Sequence, residues 1–184
     1  MRNGVQRIRD YFIFFLLYSI TGWCYEVFLE VVVYHWGFSD CGVLMGPYCI
    51  IYGFGALVFL FFFRNMIHKR DGILPAWLKP LIIGVGCMLI ATVIELAASY
   101  IMEIAVGSWP WQTYVQYRYN FQGRIALSTS LRFGLGGLVY LYLLQPLFEK
   151  LIRRWEGKRF NFGAGLLATV FGCDVLLTLG QWLF

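Results

Sequence analysis

Residues 78–106 read LKPLIIGVGCMLIATVIELAASYIMEIAV. About 20 predominantly apolar residues carry a helix across the hydrocarbon core of a bilayer. This stretch has that length, with only Lys79, Glu95 and Glu103 charged. Four further apolar runs flank it, at about 11–34, 44–63, 124–148 and 162–184. Backbone groups cannot go unpaired in lipid, so each run is expected to be a helix. None shows the polar–apolar alternation of a barrel strand. The predicted fold is all-α: a polytopic bundle of about five spans forming a single integral membrane domain over 1–184.

Composition agrees. Sixty per cent of the 184 residues are hydrophobic and 14% charged, with mean hydropathy +0.67, whereas soluble domains carry roughly 25% charged residues. The aromatic share of 20% suits a chain with side chains at two membrane interfaces. The length leaves no room for a separate nucleotide-binding domain. A net charge of +5 could suggest nucleic acid, but the basic residues cluster beside apolar runs instead of forming a phosphate-tracking face. Cys24, Cys41, Cys49, Cys87 and Cys173 form no CxxC pair and no metal-ligand spacing. No cofactor and no nucleic-acid partner is expected.

The basic residues set an orientation. Arg2, Arg7 and Arg9 precede the first span, Arg64, Lys69, Arg70 and Lys79 follow the second, and Lys150, Arg153, Arg154, Lys158 and Arg159 follow the fourth. The first connection has no Lys or Arg, and the third has Arg118 with Arg124 at its edge. Every second connection is basic, which by the positive-inside rule predicts N-terminus in and C-terminus out. The first apolar run contains Glu26 and Glu30 and is followed by no small-residue cleavage site, so it reads as a retained helix and not a signal peptide.

Three features could carry function. Glu26, Glu30, Glu95, Glu103, Arg124, Arg132 and Asp174 lie in or near apolar runs, where an ionisable group at the helix centre costs about 2.5–3.5 kcal/mol on an insertion scale. Glu26, Glu95, Arg132 and Asp174 lie deepest. The expectation is a polar centre in which Glu26 and Glu95 meet Arg124 or Arg132; the alternative is ion pairs that only fix helix register. Second, Gly46-Pro47 at a span entrance favours a break or re-entrant turn, whereas Gly53, Gly55 and Ala56 also suit close helix packing. Third, SWPWQTY at 108–114, continuing through Tyr117, Tyr119 and Phe121, forms an interfacial belt or an outer lid. An internal repeat is a further expectation: GFGALVFL at 53–60 echoes GLGGLVYL at 134–141, and at the same offset Gly42 matches Gly123 and Leu44 matches Ile125. Two two-helix halves would then be related by an axis along the membrane normal.

Gly22-Trp23-Cys24-Tyr25-Glu26, the GPYCIIYGFG run at 46–55, Glu95 with Glu103, and Asn120-Phe121-Gln122-Gly123-Arg124 resemble, in this order, the family named putative ABC-transporter type IV permeases (CmpB-like). These are small bacterial polytopic membrane proteins. The resemblance runs from about Tyr11 to Leu151, with a weaker likeness in the last span around Asp174. It departs at Asp40-Cys41-Gly42, where the family has Asn-Arg-Gly, in 111–114, where it has Trp-Asp-Tyr, and at Ile50, where it commonly has proline.

The resemblance implies a permease in the bacterial cytoplasmic membrane, working with a separate ATPase subunit. It adds Trp23, Tyr48 and Asn120 to Glu26, Glu95, Arg124 and Arg132 as candidate substrate-binding residues. No catalytic residue is assigned. A regulatory or assembly subunit recognising another membrane protein is the alternative. An intramembrane lipid enzyme using Glu26 or Glu95 as general base is the third reading, though the chain has no Walker loop, nucleophile elbow or HExxH. Glycine-rich faces would also allow a homodimer.

Overall fold

A computed structural model describes residues 3–40, 42–68, 75–109 and 111–183. Arg2, Cys41, Lys69, Arg70, Pro110 and Phe184, read above from sequence, lie outside that set. The described residues are all-α apart from one small hairpin. Helix α1 is Gly4–Phe28, α2 Ile50–His68, α3 Leu78–Val106, α4 Leu127–Val139, α5 Gln145–Trp155 and α6 Lys158–Leu183, with strands β1 (Asn120–Phe121) and β2 (Ile125–Ala126) before α4. Wide π-type turns extend α1 over Leu29–Val33 and join α4 to α5 over Tyr140–Leu144. Pro146, just after the second of these, has no N–H to continue a regular ladder. Among the described residues, five helical stretches are long and apolar enough to cross a membrane: Gly4–Val33, Ile50–Ile67, Leu78–Val106, Leu127–Trp155 and Lys158–Gln181.

The third span coincides with its sequence reading. The others begin or end differently for local reasons. α1 starts early because Asn3 and Gln6 form a reciprocal capping box. α2 starts late because 43–47 is bent, the break expected at Gly46-Pro47. Arg124 lies in the hairpin turn, so the fourth span begins after it.

The chain divides into two compact units, Met1–Leu57 with Leu147–Phe184, and Val58–Pro146. Their boundaries fall inside α2 and inside the Leu127–Trp155 span, not between the two halves of the expected repeat. In the first unit α1 buries Ile13, Phe14, Phe15, Leu16 and Tyr18. Phe171 of α6 gathers the rings of Phe12, Phe15 and Tyr48 at centroid distances of 6.1, 5.5 and 5.5 Å. Gly53 lets α2 cross α1 closely: a Cβ there would lie 2.2 Å from Ser19 Oγ and 2.8 Å from the Phe15 carbonyl oxygen.

In the second unit α3 and α4 approach through small residues, the usual device where water provides no hydrophobic drive. A Cβ on Gly137 would lie 2.6 Å from Cys87 Cβ, and one on Gly134 3.0 Å from the Gly84 carbonyl. Thr92 Oγ1 and Ser130 Oγ, 2.8 Å apart, add a polar tie between the two helices. Gly107, in the left-handed region at φ +79°, ends α3 and donates its N–H to the Glu103 carbonyl. Large apolar side chains such as Phe61, Ile104 and Phe162 face outward, as lipid-facing positions do.

Candidate functional site

In the first unit the bend before α2 creates a local problem. Pro47 cannot extend a helix backwards, so the N–H groups of Met45 and Gly46 have no helical acceptor. Asp174, projecting from α6, accepts both, at 3.0 and 2.9 Å. The same carboxylate accepts the Tyr48 hydroxyl and, at 3.3 Å, the Thr178 hydroxyl. Gly46 is needed there because a Cβ would sit 2.3 Å from the Tyr48 ring. The Cys49 N–H donates to the Ser19 carbonyl at 3.0 Å, fixing the bent segment to α1 as well.

Along α1, Tyr52 donates its hydroxyl to Glu26. Its ring can lie against α1 only because residue 22 is glycine, where a Cβ would meet ring atoms at 2.3–2.6 Å. Trp23 Nε1 donates to Asp40 at 3.0 Å, and Ser39 donates to Glu30 at 2.6 Å. Near the other end of α1, Arg9 pairs with buried Asp10 at 2.6 Å, donates to Asn161 and stacks on the Phe160 ring at 4.9 Å.

In the second unit Arg124 is the focus. The hairpin pairs Asn120 with Ala126 and Phe121 with Ile125. Its turn is held by Asn120 Oδ1, which accepts the Gly123 N–H at 2.9 Å, and by Gly123 at φ +64°. The Arg124 guanidinium leaves this turn buried, only 7% exposed. The Tyr100 and Trp109 rings each lie 4.1 Å from it, Nη2 pairs with Glu103 at 2.5 Å, and Nη1 is 3.4 Å from Ser99 Oγ. Arg124 Nε is buried with no partner among the described residues. Trp109 and Trp111 donate their indole N–H groups to the Gly123 and Arg124 carbonyls at 3.2 and 2.8 Å. Tyr114 donates to Glu95 at 2.8 Å and stacks on Tyr117.

The expected site residues thus fall into two groups. Trp23, Glu26 and Tyr48 belong to the first unit, and Glu95, Asn120, Arg124 and Arg132 to the second. The ion pair Arg124 makes at 2.5 Å is with Glu103, and Arg132 is exposed on α4. Asn120 organises the turn that presents Arg124. The sequence reading left Asp174 out of the binding set, although Gly46-Pro47 signals it: two stranded N–H groups in an apolar span require an acceptor. Of the aromatic residues read from sequence, Trp109 supplies one wall of the Arg124 box and Tyr114 a hydroxyl for Glu95.

The family model described as "Putative ABC-transporter type IV" matches residues 13–179, nearly the whole chain. No curated protein and no solved structure matches.

Proposed function

The chain belongs to the putative ABC-transporter type IV family, and from that premise we propose that it is the membrane-embedded, permease-like subunit of a transporter. In this reading Glu95, Asn120, Arg124 and Arg132 are the polar groups of the second unit that meet a solute, and Trp23, Glu26 and Tyr48 are those of the first, each set taken by itself. The arginines take an anionic group or hold carboxylates ionised, and the carboxylates take a cation or protons. The observation that carries it is Arg124, a buried guanidinium whose Nε donor has no acceptor among the described residues. A buried unpaired N–H costs about 1–3 kcal/mol, and an oxygen of a bound solute would relieve that cost.

A separate ATPase would dock at the cytoplasmic connections, 64–79 or 149–159, with the N-terminus inside. The test is copurification from the gently solubilised chain, wild type against Glu26→Gln with Arg124→Ala. An ATPase or solute retained by wild type and lost from the variant is the expected result. Purified chain that moves a solute without any ATPase would refute the ABC-type reading.

A second reading, a non-transporting assembly or regulatory subunit, is favoured by one observation. Asp174 is occupied by four donors of this chain itself, as an architectural charge would be. Loss of a membrane partner on Glu26→Gln, with transport intact, would select it.

A further inference from the structure

The junction of α5 and α6 combines features the transport reading does not use. Between 149 and 159 there are five basic residues, Lys150, Arg153, Arg154, Lys158 and Arg159, against Glu149 and Glu156. All five basic side chains are exposed. Glu149 lies 3.6 Å from Arg153, and Glu156 3.6 Å from Arg9. Among the described residues no carboxylate pairs with Lys150, Arg154, Lys158 or Arg159.

The fourth span ends at Trp155 and the fifth begins at Lys158, so the turn lies where two spans leave the hydrocarbon together. The Arg9–Asp10–Asn161–Phe160 cluster ties α6 to α1 beside this turn. Below the charges, Leu147, Leu151 and Trp155 recur every four residues and are all exposed, Trp155 to 61%. That spacing puts them on one stripe of α5, with Lys150 and Arg154 beside it.

We propose that this rim and stripe form a binding site for an anionic phospholipid of the inner leaflet. Arg154, Lys158 and Arg159 meet the headgroup phosphate, Lys150 and Arg153 widen the positive field, and an acyl chain lies along Leu147, Leu151 and Trp155. Charge complementarity selects the occupant: clusters of four to eight basic residues immediately beside a span are the sequence form of anionic-lipid recognition. Arginine also engages phosphate oxygens two at a time. The apolar stripe running directly from the charges matches a molecule with an anionic head and an apolar tail, which a soluble anion is not. This inference is independent of transport, and it leaves the 64–79 connection as the place for an ATPase.

The test is native mass spectrometry of the full chain in detergent, titrated with phosphatidylglycerol or phosphatidylcholine of identical acyl chains. Detergent removes any dependence on topology, which basic residues also influence. Wild type is expected to hold phosphatidylglycerol about tenfold more tightly or better, given roughly one strong contribution per basic residue. Replacing Arg153, Arg154, Lys158 and Arg159 together by Gln should remove the preference. Equal affinity for the two lipids in wild type, or an undiminished preference in the variant, would overturn the proposal. Displacement of the lipid by inorganic phosphate alone would assign the site to a soluble anion, and an acidic protein copurifying on the rim and excluding lipid would assign it to that partner; both overturn it. If the variant does not fold, a salt series on wild type decides. Over roughly 50–500 mM salt the preference should collapse as screening shortens, and its persistence would refute an electrostatic site.

Discussion

Replacing Asp174 with Ala removes one side chain and strands three donors: the N–H groups of Met45 and Gly46 and the Tyr48 hydroxyl. Hydrogen bonds between side chains in membrane proteins average about 0.6 kcal/mol, with a maximum near 1.7. A charged acceptor raises the usual value to about 1.5–3 kcal/mol. Three donors on one carboxylate therefore stabilise the bend by roughly 2–5 kcal/mol, with Thr178 contributing little at 3.3 Å. The loss should be local first, because the bent segment is not helical and is otherwise fixed by the Cys49-to-Ser19 bond. Amide hydrogen exchange at Met45 and Gly46 should accelerate by roughly 30-fold or more, since 1.4 kcal/mol is tenfold in an equilibrium. Exchange in α3 should stay unchanged. Asp174→Asn should fall between the two, because an amide offers one acceptor oxygen and turns a donor toward the N–H groups. Unchanged protection at Met45 and Gly46 in Asp174→Ala would refute the assignment of Asp174 as their acceptor.

Glycine substitutions give a paired control in one helix. Gly53→Ala should destabilise the protein in denaturant titrations by about 1–3 kcal/mol through overpacking against Ser19 and the Phe15 backbone, whereas Gly55→Ala, with nothing within 4 Å, should be neutral or stabilising. On α4, Gly137→Ala should behave like the first and Gly136→Ala like the second. Arg9→Ala should destabilise the protein by removing the ion pair to buried Asp10, and adding Asp10→Asn should recover part of that loss; a cycle showing strict additivity would contradict the pairing. Arg124→Lys retains the charge facing Glu103 but loses planar stacking between Tyr100 and Trp109, so roughly 1–2 kcal/mol should be lost. The readout is thermal stability together with a shift in Trp109 emission, measured with the other tryptophans replaced.

The spans were legible because hydropathy is a property of composition along the chain, and Leu78–Val106 needs nothing else to be recognised. Their ends depend on single interactions. The Asn3–Gln6 box starts α1 well before its apolar run, and the Phe121–Ile125 turn places Arg124 before α4 instead of inside it. The candidate site was legible as a set of residue types and not as a set of partners. Intramembrane charge singles out Glu26, Glu95, Arg124, Arg132 and Asp174 as candidates, but the choice of partner depends on contacts no periodicity encodes. Tyr48 and Asp174 are 126 residues apart, and the carboxylate that pairs with Arg124 is Glu103 and not one of the deepest charges in the sequence. Tyr52 and Tyr114 were passed over because a tyrosine in a membrane chain has an ordinary place at the interface, while here each hydroxyl serves a carboxylate.

That distinction separates charges that build the protein from charges free to act on something else. Asp174 receives four donors from its own chain, which is the full acceptor capacity expected of a carboxylate. An arginine guanidinium has five N–H donors in a fixed fork. At Arg124 the described residues supply one carboxylate, one hydroxyl at long range and two ring faces, and none of them partners the buried Nε. A purely architectural arginine in an apolar environment would be expected to have that donor satisfied, because the same fold satisfies two awkward backbone N–H groups at Asp174. The two residues should therefore separate under conservative change. Asp174→Asn should lower stability and alter any solute binding only in proportion. Arg124→Lys should remove binding of an anionic solute by more than its stability loss accounts for, since a lysine has no Nε–Nη edge to present. If both losses track stability alone, Arg124 belongs with Asp174 among the architectural charges, and the solute-binding role proposed for it fails.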